Sequence, residues 1–266
     1  MAASATPQHA INERWKGRVA LVTGASSGIG YSVARALVER GMKVVGCARN
    51  IASLKELSKK LKGQEQPGSL TAITCDVSKE DQVAAMFQQI RQDPNLGRVD
   101  VCINNAGLCN TAPLLTGEPS QWREMFEVNV LGLMMCTQQS YKLMEEKEVK
   151  DGHIILVNSM AGVRVPKSPG GHCYAASKFA VTAIKEGLRN ELRTNKSPIR
   201  ISEVCPGIVQ SQFHPRCLGQ TRANALFSNM KCLQPEDITN AILYMLDAPP
   251  HVEVNDVMIR PTEQQN

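Results

Sequence analysis

Aromatic residues make up only 4% of the 266-residue chain, and none interrupts its short basic runs such as Lys59-Lys60-Leu61-Lys62. A strip that grips single-stranded nucleic acid needs rings for the bases to stack on. That run therefore reads as a solvated helix face, and nucleic acid is not expected as a partner. Charge of one sign is also scarce, since 30 Lys and Arg stand against 25 Asp and Glu for a formal +5. No apolar run reaches membrane-spanning length. Residues 1–15 have neither the apolar core of a secretory leader nor an arginine-rich transit pattern, and the C-terminus carries no lipidation or peroxisomal signal. The nine cysteines include no C-x-x-C pair, and His9, His153, His172, His214 and His251 show no ligand spacing with one another or with cysteine. No metal site is expected. Cys47, Cys75 and Cys102 fall in apolar strand-like runs, so the cysteines read as buried, reduced thiols. With the polar N-terminus, they point to a soluble, reducing, cytoplasmic setting.

What the chain does hold is apolar residues, 42% of the total, in a regular alternation with charged and amide-rich stretches. Short β-branched runs at 18–23, 43–47, 70–75, 99–104, 153–158, 199–205 and 256–259 are separated by segments with helical spacing, such as Ile29, Val33, Ala34, Leu37 and Val38 before Gly41. Continuously apolar strands between helices predict a parallel sheet covered on both faces. The expected fold is α/β, a Rossmann-like doubly wound sheet of about seven strands in three layers. A flexible tail over 1–16 and one domain over 17–266 complete the expected organisation. The stretch 207–231, rich in Gln, Asn and Gly, has no steady period and is expected to be an irregular substrate lid.

The first strand runs into Gly24, Ala25, Ser26, Ser27, Gly28, Ile29 and Gly30. Glycines between a strand and a helix let the backbone approach a pyrophosphate, which the helix N-terminus stabilises. A tight turn with no ligand explains them equally well when they stand alone. The end of the second strand adds to the case. Binders of a ribose 2′-hydroxyl carry Asp or Glu there, whereas this chain has Arg49 and Asn50. A permanently charged planar fork suits a 2′-phosphate, so NADP(H) is expected rather than NAD(H). Asp76 and Val77, ending the third strand, are placed near an adenine, and Ser78 with Asp81 is expected to form a capping box for the next helix.

Tyr174 and Lys178 stand one helical turn apart. A phenol with an ordinary pKa near 10 is a poor base at neutral pH, and a neighbouring cation is expected to lower it. Ser159 closes a strand just upstream, where ligands bind in open parallel sheets. A serine there is otherwise a turn former.

The ordered set Thr23, Gly24, Gly28, Gly30, Asn104, Asn105, Ala106, Gly107, Asn129, Ser159, Tyr174, Lys178, Cys205, Pro206 and Gly207 resembles the short-chain dehydrogenase/reductase family from residue 18 onward. The resemblance implies that Tyr174 exchanges a proton with substrate and Ser159 polarises its oxygen. It implies further that Lys178 holds the nicotinamide ribose and Asn129 anchors a water in a proton relay. Asn105, Ala106 and Gly107 would lie on the adenosine side, and Pro206, Gly207, Val209, Gln210, Ser211 and Gln212 near the nicotinamide. The segments 45–49, 230–237 and 258–263 are similar to those of a hydroxysteroid dehydrogenase of that family, and farnesol dehydrogenases share a similar ending. They imply an apolar ketone, aldehyde or secondary alcohol, with a 3β/17β-hydroxysteroid ahead of a farnesol- or retinoid-type alcohol. Family membership also implies a homodimer or homotetramer. A noncatalytic NADP(H) sensor is the rival from another class.

Overall fold

The structure, a computed structural model, describes residues 13–265. Seven parallel strands form its sheet: β1 (Val19–Thr23), β2 (Lys43–Ala48), β3 (Ser69–Thr74), β4 (Val101–Asn104), β5 (His153–Val157), β6 (Arg200–Pro206) and β7 (Asp256–Ile259). Their spatial order is β3-β2-β1-β4-β5-β6-β7. All five residues of β1 are buried, because helices cover both faces and leave neither to water. Alternate side chains go to opposite layers. Ala20 and Val22 join the core under α1 (Gly28–Glu39), α2 (Ala52–Gly63) and α9 (Pro235–Asp247). Val19 and Leu21 join that under α3 (Glu80–Gln92), α5 (Leu133–Glu146) and α6 (His172–Thr194). Each buried Val, Leu or Ile contributes about 1.5–3 kcal/mol. The chain reverses its winding between β1 and β4, and that opens a crevice at the carboxyl ends of those strands.

Several expectations are corrected. Residues 13–16 do not belong to a flexible tail, while residues 1–12 lie outside the described part. Glu13–Trp15 form a 3-10 turn, the Trp15 indole is buried, and its Nε1 donates to Leu246 O at 2.9 Å. Arg14 and Arg18 stack over that ring and bond Asp151. The stretch 207–231 is largely helical, forming α7 (Phe213–Leu218) and α8 (Gln220–Ser228). Its short helices bury too little apolar surface to show a sequence period. The Ser78–Asp81 capping box does not form: the N-cap of α3 is Lys79, without a side-chain cap. Ser78 instead donates its N–H and hydroxyl to Asp76 Oδ1, at 3.0 and 2.8 Å. The cysteines are not all reduced, since Cys109 and Cys217 form a disulfide and the other seven are free and buried. Cysteine usage thus gives no argument for a reducing setting. Among the described residues no helix is long and apolar enough to cross a membrane.

Candidate active site

Gly24 has φ +63°, and a Cβ there would stand 2.8 Å from Ala106 Cα. On Gly30 a Cβ would fall 2.4 Å from Asn105 Nδ2 and 2.6 Å from Gly24 O. The turn is glycine because backbone already fills the space. Asn105 stitches it to β4, donating Nδ2 to Thr23 O and Gly24 O at 2.9 and 3.1 Å. Thr23 Oγ1 accepts from the N–H groups of both Asn105 and Ala106 at 3.0 Å. That role of Thr23 was missed, although a hydroxyl at the last position of the strand was a usable signal. Ser27, the N-cap of α1, makes no side-chain cap. The first amides of the helix are thereby left for an anion, which fits a cofactor phosphate. Ala25 N donates to Cys47 O at 3.1 Å and Ser53 Oγ to Ser26 O at 2.8 Å, which brings the end of β2 against the turn. Arg49 is exposed there and forms no ion pair among the described residues. Asn50 Oδ1 accepts from Ala52 N at 3.0 Å, so that oxygen starts α2. Asp76 holds Ser78, and its own N–H donates to Gln82 Oε1 at 2.9 Å. Val77 is buried in the core.

At the other end of the crevice, Ser159 follows β5 and caps a 3-10 turn over Met160–Gly162, its Oγ accepting from Ala161 N at 3.1 Å. Tyr174 lies in the first turn of α6, with Ser159 close enough to its phenol to influence its titration. Lys178 is 3% exposed and donates from Nζ to Val157 O at 3.0 Å, with that nitrogen 5.9 Å from the Tyr174 ring centroid. Burial pushes the Lys178 ammonium down to about 8, against the charges of Cys205 and Glu203. It pushes the Tyr174 phenol up to about 12, with Ser159 pulling the other way. The expected lowering of the phenol is therefore corrected: desolvation raises it, and Ser159, not Lys178, is what opposes that rise.

Asn129 sits in a π turn over Glu127–Gly132, inserted between α4 (Pro119–Phe126) and α5. Such turns interrupt helices most often at functional sites. Its side chain pairs with both backbone groups of Leu108 at 2.8 Å and donates to Ser177 Oγ at 3.0 Å. Ser177 Oγ in turn donates to Tyr174 O at 2.7 Å. Ser177 went unremarked, although its i+3 spacing from Tyr174 foreshadows a hydroxyl-to-carbonyl bond within the helix. Gly107 packs beside Asn129, its Cβ position 3.7 Å from Oδ1.

The structure separates the residues after β6. Pro206 is buried at the strand end, and a Cβ on Gly207 would meet Gln264 Oε1 at 2.3 Å. Val209 is buried in a bridge to Leu233, and Gln210 Oε1 accepts from Gln234 Nε2 at 3.0 Å. These contacts hold the segment after β6 against the residues before α9. Ser211 reaches the glycine turn, with Cβ 3.1 Å from a Cβ position on Gly28. Exposed Gln212 starts α7. Phe213 then packs at a tilt on Tyr174, 5.6 Å between centroids, and His214 and Phe227 continue the run edge-on at 5.7 Å each. The disulfide and a Thr111 Oγ1 to Cys217 O bond of 2.9 Å tie α7 to the loop after β4.

The sequence pattern of the short chain dehydrogenase family matches residues 18–218. The chain is 49% identical to Dehydrogenase/reductase SDR family member 11 of Bos taurus over 254 residues, 95% of this chain and 99% of that one. It is 39% identical to Farnesol dehydrogenase of Aedes aegypti, again over 254 residues and the same shares. Its fold is similar to the closed form of serine dehydrogenase complexed with NADP+, with a TM-score of 0.83 and 28% identity over 93% of this chain and 96% of that one. The chain belongs to the short chain dehydrogenase family, oxidoreductases of alcohols and carbonyl compounds that use nicotinamide cofactors.

Proposed function

We propose that this chain is an NADP(H)-dependent oxidoreductase that interconverts an apolar ketone or aldehyde with its alcohol. The observation that carries the reading is Tyr174 beside Ser159, with Lys178 buried one helical turn on and held to Val157 O, at the carboxyl ends of the strands where the glycine turn lies. The turn and the uncapped N-terminus of α1 would hold the pyrophosphate, and exposed Arg49 the 2′-phosphate. Lys178 would reach the nicotinamide ribose. When bound, the cofactor supplies the hydride.

Ser159 and Tyr174 hold the substrate oxygen between two hydroxyls. A phenol held near 12 keeps its proton at neutral pH, so Tyr174 is charged for delivery as the carbonyl is reduced. Lys178 supplies positive charge beside it. The likeness to the NADP+ complex supports the cofactor choice. Phe213 packed on Tyr174, with Phe227 joined to it through His214, supports an apolar substrate. Within that class we favour a 3β/17β-hydroxysteroid and its ketone ahead of a farnesol- or retinoid-type alcohol.

The test is NADPH consumption against steroid ketones, α-dicarbonyls and isoprenoid aldehydes. Tyr174→Phe is expected to lower kcat by about 10²–10⁴-fold on any substrate turned over, with NADPH affinity retained. Wild-type turnover in that variant, or none in the native protein, overturns the reading.

A further inference from the structure

Behind Tyr174 and Lys178, on the sheet face covered by α6, lies a buried polar ladder for which the chemistry above has no use. Lys178, Thr182 and Lys185 recur at i, i+4 and i+7, which puts them on one stripe of the helix. Leu156 pairs with Glu203 and Val157 with Val204, so the alternation of β5 and β6 turns Asn158, Glu203 and Cys205 toward that stripe.

Glu203 is 1% exposed. Its Oε2 accepts from Asn158 Nδ2 at 2.9 Å, and its Oε1 from the Cys205 thiol at 3.2 Å. Asn158 Nδ2 also donates to Thr182 Oγ1 at 2.9 Å, and Thr182 donates to Gly162 O at 3.1 Å. Asn158 immediately precedes Ser159, and Gly162 closes the turn that Ser159 caps. The groups facing Glu203 are thus Asn158 just after β5, Cys205 from β6, Lys178, Thr182 and Lys185 from α6, and Asp256 from β7. Asp256 is already paired with Lys185 at 2.8 Å. Burial pushes the Glu203 carboxyl up, while its bonds from Cys205 and Asn158 and the charge of Lys185 pull it down. A desolvated carboxylate is costly unless its charge and hydrogen bonds are used. Here both lead to the reacting groups.

We propose that Glu203 is a positioning residue. Its bond to Asn158 fixes the turn that carries Ser159, and its negative charge keeps Lys178 in the ammonium form. This rests on the reading of Tyr174, Ser159 and Lys178 as the reacting groups. Glu203→Gln keeps the shape and an acceptor for Asn158 but removes the charge, whereas Glu203→Leu removes both.

The first readout needs no turnover: lysine 13Cε shifts in the labelled full chain are titrated by NMR, with the Lys178 signal identified by its loss in Lys178→Met. The Lys178 midpoint is expected to fall by about one pH unit in Glu203→Gln. The alkaline limb of kcat for carbonyl reduction is expected to move down with it. Glu203→Leu is expected to lose about tenfold in kcat with little change in KM. An unmoved Lys178 midpoint in folded Glu203→Gln overturns the charge role. Wild-type kcat in Glu203→Leu overturns the positioning role. A moved midpoint in a protein that reduces no carbonyl leaves the charge role standing and removes the reading it rests on.

Discussion

The two ends of the crevice are held in different ways. At the glycine turn, backbone lies against backbone: Gly24 on Ala106, Gly30 on Gly24 O and Ala25, with Thr23 accepting two N–H groups. At α7, side chains from distant parts of the chain meet, namely Phe213 on Tyr174 and Cys217 on Cys109, 108 residues apart. The first arrangement tolerates almost no change, because no side chain can be added where main-chain atoms touch. In the second, contacts between side chains can be exchanged while the backbone stays in place. A family can thus keep one cofactor end and vary the other.

Four measurements break or sharpen this contrast. The largest effect is expected from Gly30→Ala, whose methyl would overlap Asn105 and displace its bonds to Thr23 and Gly24. A loss of about 3–4 kcal/mol in denaturant unfolding, with NADPH binding at least tenfold weaker, is expected. A neutral result would show that the turn is not rigid. Next comes Cys109→Ser, expected to cost about 2–4 kcal/mol in oxidising buffer and nothing under reduction. NADPH affinity should stay within about twofold, since the glycine end makes no use of that bond. If affinity fell with stability, the two ends would be one unit.

Arg49→Asp is expected to lower the NADPH to NADH preference in kcat/KM by about 10–100-fold without changing the thermal midpoint. The smallest effect lies away from both ends, at Asp151. Burial would raise its carboxyl, but hydrogen bonds from Arg18 and Arg14 overcome this and hold it down to about 2, below the ordinary 3.8. A folded value below the unfolded one means a stability contribution present above about pH 4 and lost as pH falls toward 2. Partial exposure limits it to about 1 kcal/mol. Asp151→Asn should flatten that part of the stability curve, read by urea midpoints from pH 5 to 2, and leave the preference for NADPH unchanged.

Most of the sheet could be read before folding, because a strand buried on both faces has to be apolar throughout. All seven runs became strands, with ends moved by a residue or two where pairing stops. Tyr174 and Lys178 could be read from a spacing that a helix turns into a shared face. Gly207 was readable too, though its crowding comes from Gln264 and Arg260, far along the chain. Ser78 looked like a cap, but the Asp76 carboxylate was the nearer acceptor. The bridge of Val209 to Leu233 had no local signal, because its two partners lie far apart in the chain.

The sequence by itself determined the alternating sheet, the glycine turn and the identity of the residues at the crevice mouth, because these follow from local sterics, period and helical spacing. Only the tertiary structure decided that Cys109 meets Cys217, that Phe213 packs on Tyr174, and that buried Glu203 bonds Asn158 and Cys205. It also reversed the expected direction for the Tyr174 phenol. Desolvation and contacts between distant segments depend on how the layers close, and no stretch of sequence carries that on its own.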